Sequence, residues 1–367
     1  MVIKRIPVSE PCLGKNELKY VTDCVRSGWI SSLGSYITEF EKKFSGFCGM
    51  PYGVTTSNGT TALHLALEVL GIKDDDEVIV PSLTFIAVAN AVKYSGAKPV
   101  FADSEYSTWN IDPQKIEKLI TKNTKAIIAV HSYGHPADIG SIKKIADKHN
   151  LFLIEDCAES HGALYRGKMT GSFGDISCFS FYGNKIITTG EGGILLTRSS
   201  KLYERAKFLR DHGMSKKRRY FHPEIGFNYR ITNLQCAVGL GQFERINYFI
   251  DKRREHAYYY NELLATVEEL TLPPEEIWAK NVFWMYSILT KKRDALAQHL
   301  NKNGIDSRPF FIPIHKQPPY IDKKLSLPVS EDLSRRGMNL PSSARLSKAD
   351  IRRICETIRY FFTNNQR

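Results

Sequence analysis

Between residues 54 and 200 short apolar, β-branched runs alternate with stretches of helical spacing, and this alternation constrains the fold more than any other feature of the chain. "GTTALHLALEVLG" (59–71) has apolar residues at helical intervals and a terminal glycine, and "DEVIVPS" (76–82) reads as a strand. "TFIAVANAVKYSG" (84–96) predicts a helix, "KPVFAD" (98–103) a strand, "PQKIEKLIT" (113–121) a helix and "KAIIAVHSYG" (125–134) a strand. "IGSIKKIADKHN" (139–150) predicts a helix, followed by the runs "LFLIEDC" (151–157), "ISCFSF" (176–181) and "GGILLTR" (192–198). Strands that are apolar throughout, separated by helices, form mostly parallel sheets buried on both faces. Such an α/β fold places its ligands in the crevice beyond the strand carboxyl ends. Chemistry is therefore expected just after each strand, at Ser82–Phe85, Asp103, His131–Gly134, Asp156 and from Ser180 onward.

A chain of 367 residues exceeds one compact core. After about residue 233 the texture changes: "NLQCAVGLGQFERINYFIDKRREHAYYYNELL" reads as one long helix, "NVFWMYSILT" as a strand, "RDALAQHLNKNG" as a helix and 347–362 as a last helix. The expectation is a large α/β domain over 1–240 and a smaller α+β domain over 241–367. No run approaches the ~18–20 apolar residues of a membrane span. "MVIKRIPVSEPCLGKNE" has no apolar leader core, so no secretory signal and a cytoplasmic location are expected. Seven scattered cysteines without CxxC spacing predict reduced thiols and neither disulfides nor a zinc site. The net charge of +12 suits nucleic acid, an anionic membrane or an anionic small substrate. Its densest run, "SKKRRY" (215–220), lacks the surroundings of a nucleic-acid module and is read as a mobile segment near a phosphorylated ligand.

Against that frame one lysine is conspicuous. "CFSFYGNKIITTGEGGILLTR" (178–198) places Lys185 in a polar turn between two apolar runs, where a solvated loop lysine is the plain alternative. Asp156 ends the strand "LFLIEDC", where a carboxylate is costly to bury unless a cation meets it. A lysine that forms a Schiff base and an aspartate that faces a pyridinium are the two protein groups pyridoxal phosphate chemistry needs. "TSNGTTALHLAL" (56–67) opens a helix with small hydroxyl and glycine residues, either an ordinary N-cap or a phosphate site. Ser180 could add a hydroxyl, and Phe85 could lie on an aromatic ring or belong to the core. There is no GxGxxG and no GxxxxGK[ST], which disfavours dinucleotides and nucleoside triphosphates.

"GTTALHLAL", "PSLTFIAVANAV", "HSYGHPADI", "IEDCAESHGA", "FSFYGNKIITTGEGG" and "GFNYRITNLQCAVGLGQFERI" occur in this order along almost the whole chain. The set resembles the sugar-nucleotide aminotransferases of the DegT/DnrJ/EryC1/StrS type, which have the aspartate-aminotransferase fold (fold type I pyridoxal phosphate enzymes). The resemblance implies Lys185 as the Schiff-base lysine and Asp156 as the pyridinium partner. It implies Glu159 beside the ring, Phe85 stacked on it, and Gly59, Thr60 and Ser180 at the phosphate. Asn228 would come from a neighbouring subunit, which implies a homodimer with shared sites. Trp29, Ile30, Ser31, Arg308 and His315 would meet the sugar nucleotide, and His161 is given no chemical role. "SGWISSLG", "DHGMSKKRRYFHPEIGFNYR", "VFWMYSI" and "SRPFFIPIHKQPPY" resemble the members that act on GDP-linked sugars. The implied reaction moves the amino group of L-glutamate to C4 of a GDP-linked 4-keto-6-deoxy sugar for surface polysaccharide. UDP- and dTDP-linked sugars are the alternatives. A sugar dehydratase of the same fold would carry histidine in place of Lys185, and a non-catalytic regulator is not matched by any DNA-binding segment in the sequence.

Overall fold

The computed structural model describes residues 4–364. Helices α1 (Lys15–Ser27) and α2 (Ser35–Phe47) lead into a seven-stranded sheet with the order β1-β9-β8-β5-β4-β2-β3. Its strands are β1 (Tyr52–Thr56), β2 (Glu77–Pro81), β3 (Lys98–Ala102), β4 (Thr124–Val130), β5 (Phe152–Asp156), β8 (Ile176–Ser180) and β9 (Gly193–Thr197). Between β5 and β8 the two-residue strands β6 (Leu164–Tyr165) and β7 (Lys168–Met169) form a hairpin, on which β10 (Ala279–Lys280) pairs. The crossovers carry α3 (Gly59–Leu70), α4 (Ala87–Tyr94), α5 (Pro113–Ile116) and α6 (Ile139–Lys148), and α7 (Ser200–Arg210) follows β9. β9 alone runs antiparallel to both neighbours. Its link from β8 holds no crossover helix, and a parallel partner would need one.

The expected double covering follows from period-two alternation. Val78 and Val80 of β2 and Ala126, Ile128 and Val130 of β4 face a cluster with Leu63, Leu67 and Val88. Ile79, Ile127, Ala129 and Leu153 face the other side, with Ile139 and Ile142 of α6. Each of these valine, leucine and isoleucine side chains contributes roughly 1.5–3 kcal/mol by leaving water.

The single long helix expected after residue 233 is two, α8 (Asn233–Phe243) and α9 (Ile246–Leu264). The break at Glu244–Arg245 has no Gly or Pro; α8 packs on α1 and α2, whereas α9 turns to meet a second core. That core joins Tyr260, Ile288, Met338, Leu340, Ile354 and Ile358, with the Tyr260 and Tyr286 rings stacked 4.3 Å apart. It covers a three-stranded sheet of β11 (Tyr286–Leu289), β12 (Arg308–Pro309) and β13 (Gly337–Leu340). Helices α10 (Arg293–Lys302), α11 (Pro328–Arg336) and α12 (Lys348–Asn364) complete this part. Because α9 also gives Phe249 and Ile250 to a further core that holds Phe44, Phe179 and Phe181, it ties the two parts together.

Glu155, wholly buried in β5, pins the turn before β8. Its carboxylate accepts N–H groups of Gly171, Phe173 and Gly174 at 2.7–2.9 Å and His131 Nε2 at 3.1 Å. Burial pushes its pKa up, but the bonds from His131, Gly171 and Gly174 outweigh that and hold it below the usual carboxylate range. Glu155→Ala leaves these donors unpaired and is expected to cost about 3–5 kcal/mol. A denaturation midpoint lowered at unchanged m-value reads this out. Because the folded pKa is depressed, this contribution is present above the unfolded carboxylate pKa and is lost as pH falls through the folded one.

Candidate active site

Lys185 lies in the turn after β8, its N–H bonded to the Tyr182 carbonyl at 2.9 Å. Its ammonium is nearly buried, 3.7 Å from Glu159 Oε1 and 3.8 Å from the centre of the Trp284 ring. Asp156, at the carboxyl end of the adjacent parallel strand β5, is 7% exposed. Its Oδ1 accepts the Ala158 N–H at 3.0 Å, and its Oδ2 accepts no hydrogen bond among the described residues. Burial dominates all three groups. It raises the pKa of Asp156 against the pull of the Ala158 N–H, Lys185 and His131, and that of Glu159 against Lys185 and the Tyr133 N–H. It lowers the pKa of Lys185 against the attraction of Glu159 and Asp156. Each is thus pushed toward its neutral form. A carboxyl in that position is short of a cation.

The start of α3 faces the same edge. Asn58 caps it, its side chain accepting the Thr61 N–H at 2.9 Å while Thr61 Oγ1 takes the Asn58 N–H at 3.1 Å. Gly59 and Thr60 keep N–H groups without an intrahelical acceptor. A Cβ on Gly59 would lie 2.7 Å from Ser180 Cβ, so only glycine lets the helix come this close to the end of β8. Free backbone donors, a hydroxyl and the positive end of a helix suit a phosphate. Asp156 Oδ2 suits a protonated ring nitrogen, and Lys185 suits an aldehyde. The residues present therefore fit pyridoxal phosphate.

Phe85 is 56% exposed, with its ring centre 5.9 Å from that of Phe311. Asn228 is exposed; Arg230 donates to its Oδ1 at 3.0 and 3.1 Å, and its amide N–H₂ donates no side-chain hydrogen bond among the described residues. Trp29, Ile30 and Ser31 are exposed on a loop fastened by Asn233, whose N–H donates to the Ser31 carbonyl at 2.6 Å and whose Nδ2 donates to that of Trp29 at 2.8 Å. Arg308 is exposed, without an ion pair among the described residues. His315 differs from expectation. It is wholly buried, with Nδ1 2.6 Å from Ser82 Oγ and Nε2 3.1 Å from Glu331 Oε1, which leaves no ring atom for a sugar. It clamps the Ser82 turn instead. His161 is also wholly buried, against Phe44, Phe179 and Phe181, and burial lowers its pKa to about 3. The run 215–220 is an exposed turn in which Arg218 covers Phe221 and Arg219 covers Tyr220.

Three supports of this site escape a reading by motif. Trp284 donates Nε1–H to the Asn184 carbonyl at 2.8 Å across 100 positions of sequence. Tyr133 holds Glu159 Oε2 through its N–H at 2.7 Å, from a left-handed backbone with φ 55°. Asn233 reads in the sequence as an ordinary first residue of a helix.

The model of the DegT/DnrJ/EryC1/StrS aminotransferase family matches residues 11–359. The chain is 47% identical to the GDP-perosamine synthase of Escherichia coli O157:H7, covering 99% of this chain and all of that one. It is also 47% identical to the GDP-perosamine synthase of Caulobacter vibrioides, over 96% and 97% of the two chains. Among solved structures it is similar to Helicobacter pylori PseC, an aminotransferase involved in the biosynthesis of pseudoaminic acid. The TM-score is 0.94 at 31% identity, with 98% of this chain and 100% of that chain covered. The chain belongs to the DegT/DnrJ/EryC1/StrS aminotransferase family and is a pyridoxal phosphate-dependent aminotransferase.

Proposed function

We propose that this enzyme transfers the amino group of L-glutamate to C4 of GDP-4-keto-6-deoxymannose and forms GDP-perosamine for surface polysaccharide. The observation that carries the amino transfer is the placement of Lys185, nearly buried, and Asp156, buried, after neighbouring parallel strands, close enough for the carboxyl to attract the amine. The choice of sugar rests on the full-length likeness to GDP-perosamine synthases.

When bound, pyridoxal phosphate supplies an aldehyde that takes up the amino group and a ring that accepts the electron pair left when a C–H bond breaks. Gly59, Thr60 and Ser180 would hold its phosphate, Phe85 would flank its ring, and Glu159 would stand beside it. Asp156 would keep the ring nitrogen protonated, its carboxylate facing that cation. Lys185 carries the cofactor through Nζ. As a free amine, Nζ would take the proton from the α-carbon of glutamate, and burial favours the neutral form this requires. In the second half-reaction the same Nζ moves a proton at C4 of the sugar. Arg308 offers a planar fork to the diphosphate, and Trp29, Ile30 and Ser31 border the nucleotide sugar.

Two copies share their sites in this reading, with Asn228 of one reaching the phosphate held by the other. Leu18, Val25, Trp29, Ile30 and Leu33 are all exposed, an apolar surface for such a dimer. No helix among the described residues is long and apolar enough to cross a membrane, and a cytoplasmic site of action is part of the proposal.

Purified protein should be yellow, lose its colour with glutamate and release oxoglutarate. Retained colour would contradict amino transfer. Offered GDP-, UDP- and dTDP-linked 4-keto-6-deoxy sugars, it should turn over the first at least about tenfold faster. Equal rates, or a preference for another nucleotide, would contradict the choice of sugar alone.

A further inference from the structure

The lysine on which that reading rests has a support that its chemistry does not explain. The indole of Trp284 meets the lysine and the residue before it at two points. Its N–H edge holds the carbonyl of Asn184, immediately before the lysine, at 2.8 Å, and its face lies 3.8 Å from the lysine Nζ. The residue is itself buried and held by its backbone. Trp284 is 4% exposed, and its carbonyl accepts Arg253 Nη1 at 2.8 Å and Ser342 Oγ at 3.2 Å. On the other side Gly134, at φ +106°, presses its backbone so closely that a Cβ there would lie 2.7 Å from Trp284 N.

We propose that Trp284 is a positioning residue for the reaction: its indole face is the resting place of Lys185 Nζ whenever that group is both protonated and free of the cofactor. The inference takes from the proposed function only that Lys185 bonds the cofactor. An aromatic face attracts an ammonium and has no such hold on the neutral amine. The charged and titratable groups that face Nζ are Glu159, Asp156 and, farther back, His161. The two carboxyls lie in and just after β5, and Trp284 supplies a neutral wall that keeps Nζ close to both. Nζ is released toward the cofactor as it loses its proton.

The test measures how fast cofactor-free protein takes up added pyridoxal phosphate as a function of pH, followed by visible absorbance, so it needs no turnover. Condensation requires the neutral amine, and the rate rises with pH around a midpoint set by Lys185. Trp284→Leu removes the aromatic face, and the midpoint should move down by about one pH unit, a tenfold change in the proton affinity of the amine. Trp284→Phe keeps a ring face without the N–H anchor and should move it about half as far. Should the leucine variant fail to fold, the phenylalanine variant still carries the test. A merely structural tryptophan would lower the plateau rate and leave the midpoint in place. An unmoved or raised midpoint in folded variants overturns the inference. If the parent protein forms no covalent species with pyridoxal phosphate, the assignment of Lys185 itself is overturned.

Discussion

Lys185→Ala is expected to abolish amino transfer, lowering turnover by at least about 10⁴-fold, since it removes both the covalent attachment and the proton-transferring amine. The fold should survive. Among the described residues its one ion pair is with Glu159, at 3.7 Å, and burial already pushes both groups toward neutrality. Circular dichroism and a denaturation midpoint close to the parent's should confirm that. Gly59, Thr60, Ser180 and Asp156 remain, so the variant should still bind pyridoxal phosphate, without a covalent bond. Parent-like turnover would contradict the assignment.

Asp156→Asn should have the second-largest effect and separate catalysis from binding. An amide cannot hold a proton on the ring nitrogen, so removal of the glutamate α-proton should slow by roughly 10²–10⁴-fold while cofactor is still taken up. Stability should move the other way. Burial raises the folded pKa of Asp156, so its charged form opposes folding as pH rises above the unfolded carboxylate pKa. The cofactor-free variant should therefore melt higher than the parent at neutral pH, and the difference should fade in acid. A variant as fast as the parent would contradict the pyridinium role, and one that melts lower at neutral pH would contradict the account of its burial.

Much of this site could be read from the chain because its chemistry stands where strands end. The alternation from residue 54 to 200 places Asp156 after one apolar strand and Lys185 after another, and those strands, β5 and β8, are adjacent and parallel. The sense of β9 was not legible, since an apolar run carries no direction. The break between α8 and α9 was not legible either, because residues from Cys12 to Phe47 and the second core turn the chain there, with no local helix breaker. Trp284 and Asn233 act on carbonyls 100 and 204 positions away, and no spacing rule reaches that far. His315 shows the opposite error. The family resemblance implies a substrate contact for it, yet Ser82 and Glu331 take both of its nitrogens. Arg308, seven positions earlier in the same motif, stays exposed.

The central claim is that one amine, at the carboxyl edge of the sheet, bonds the cofactor. Borohydride reduction of the protein loaded with pyridoxal phosphate, followed by peptide mapping, tests it directly. The account predicts a single reduced adduct, on the peptide carrying Lys185. An adduct on another lysine, or none at all, would contradict it.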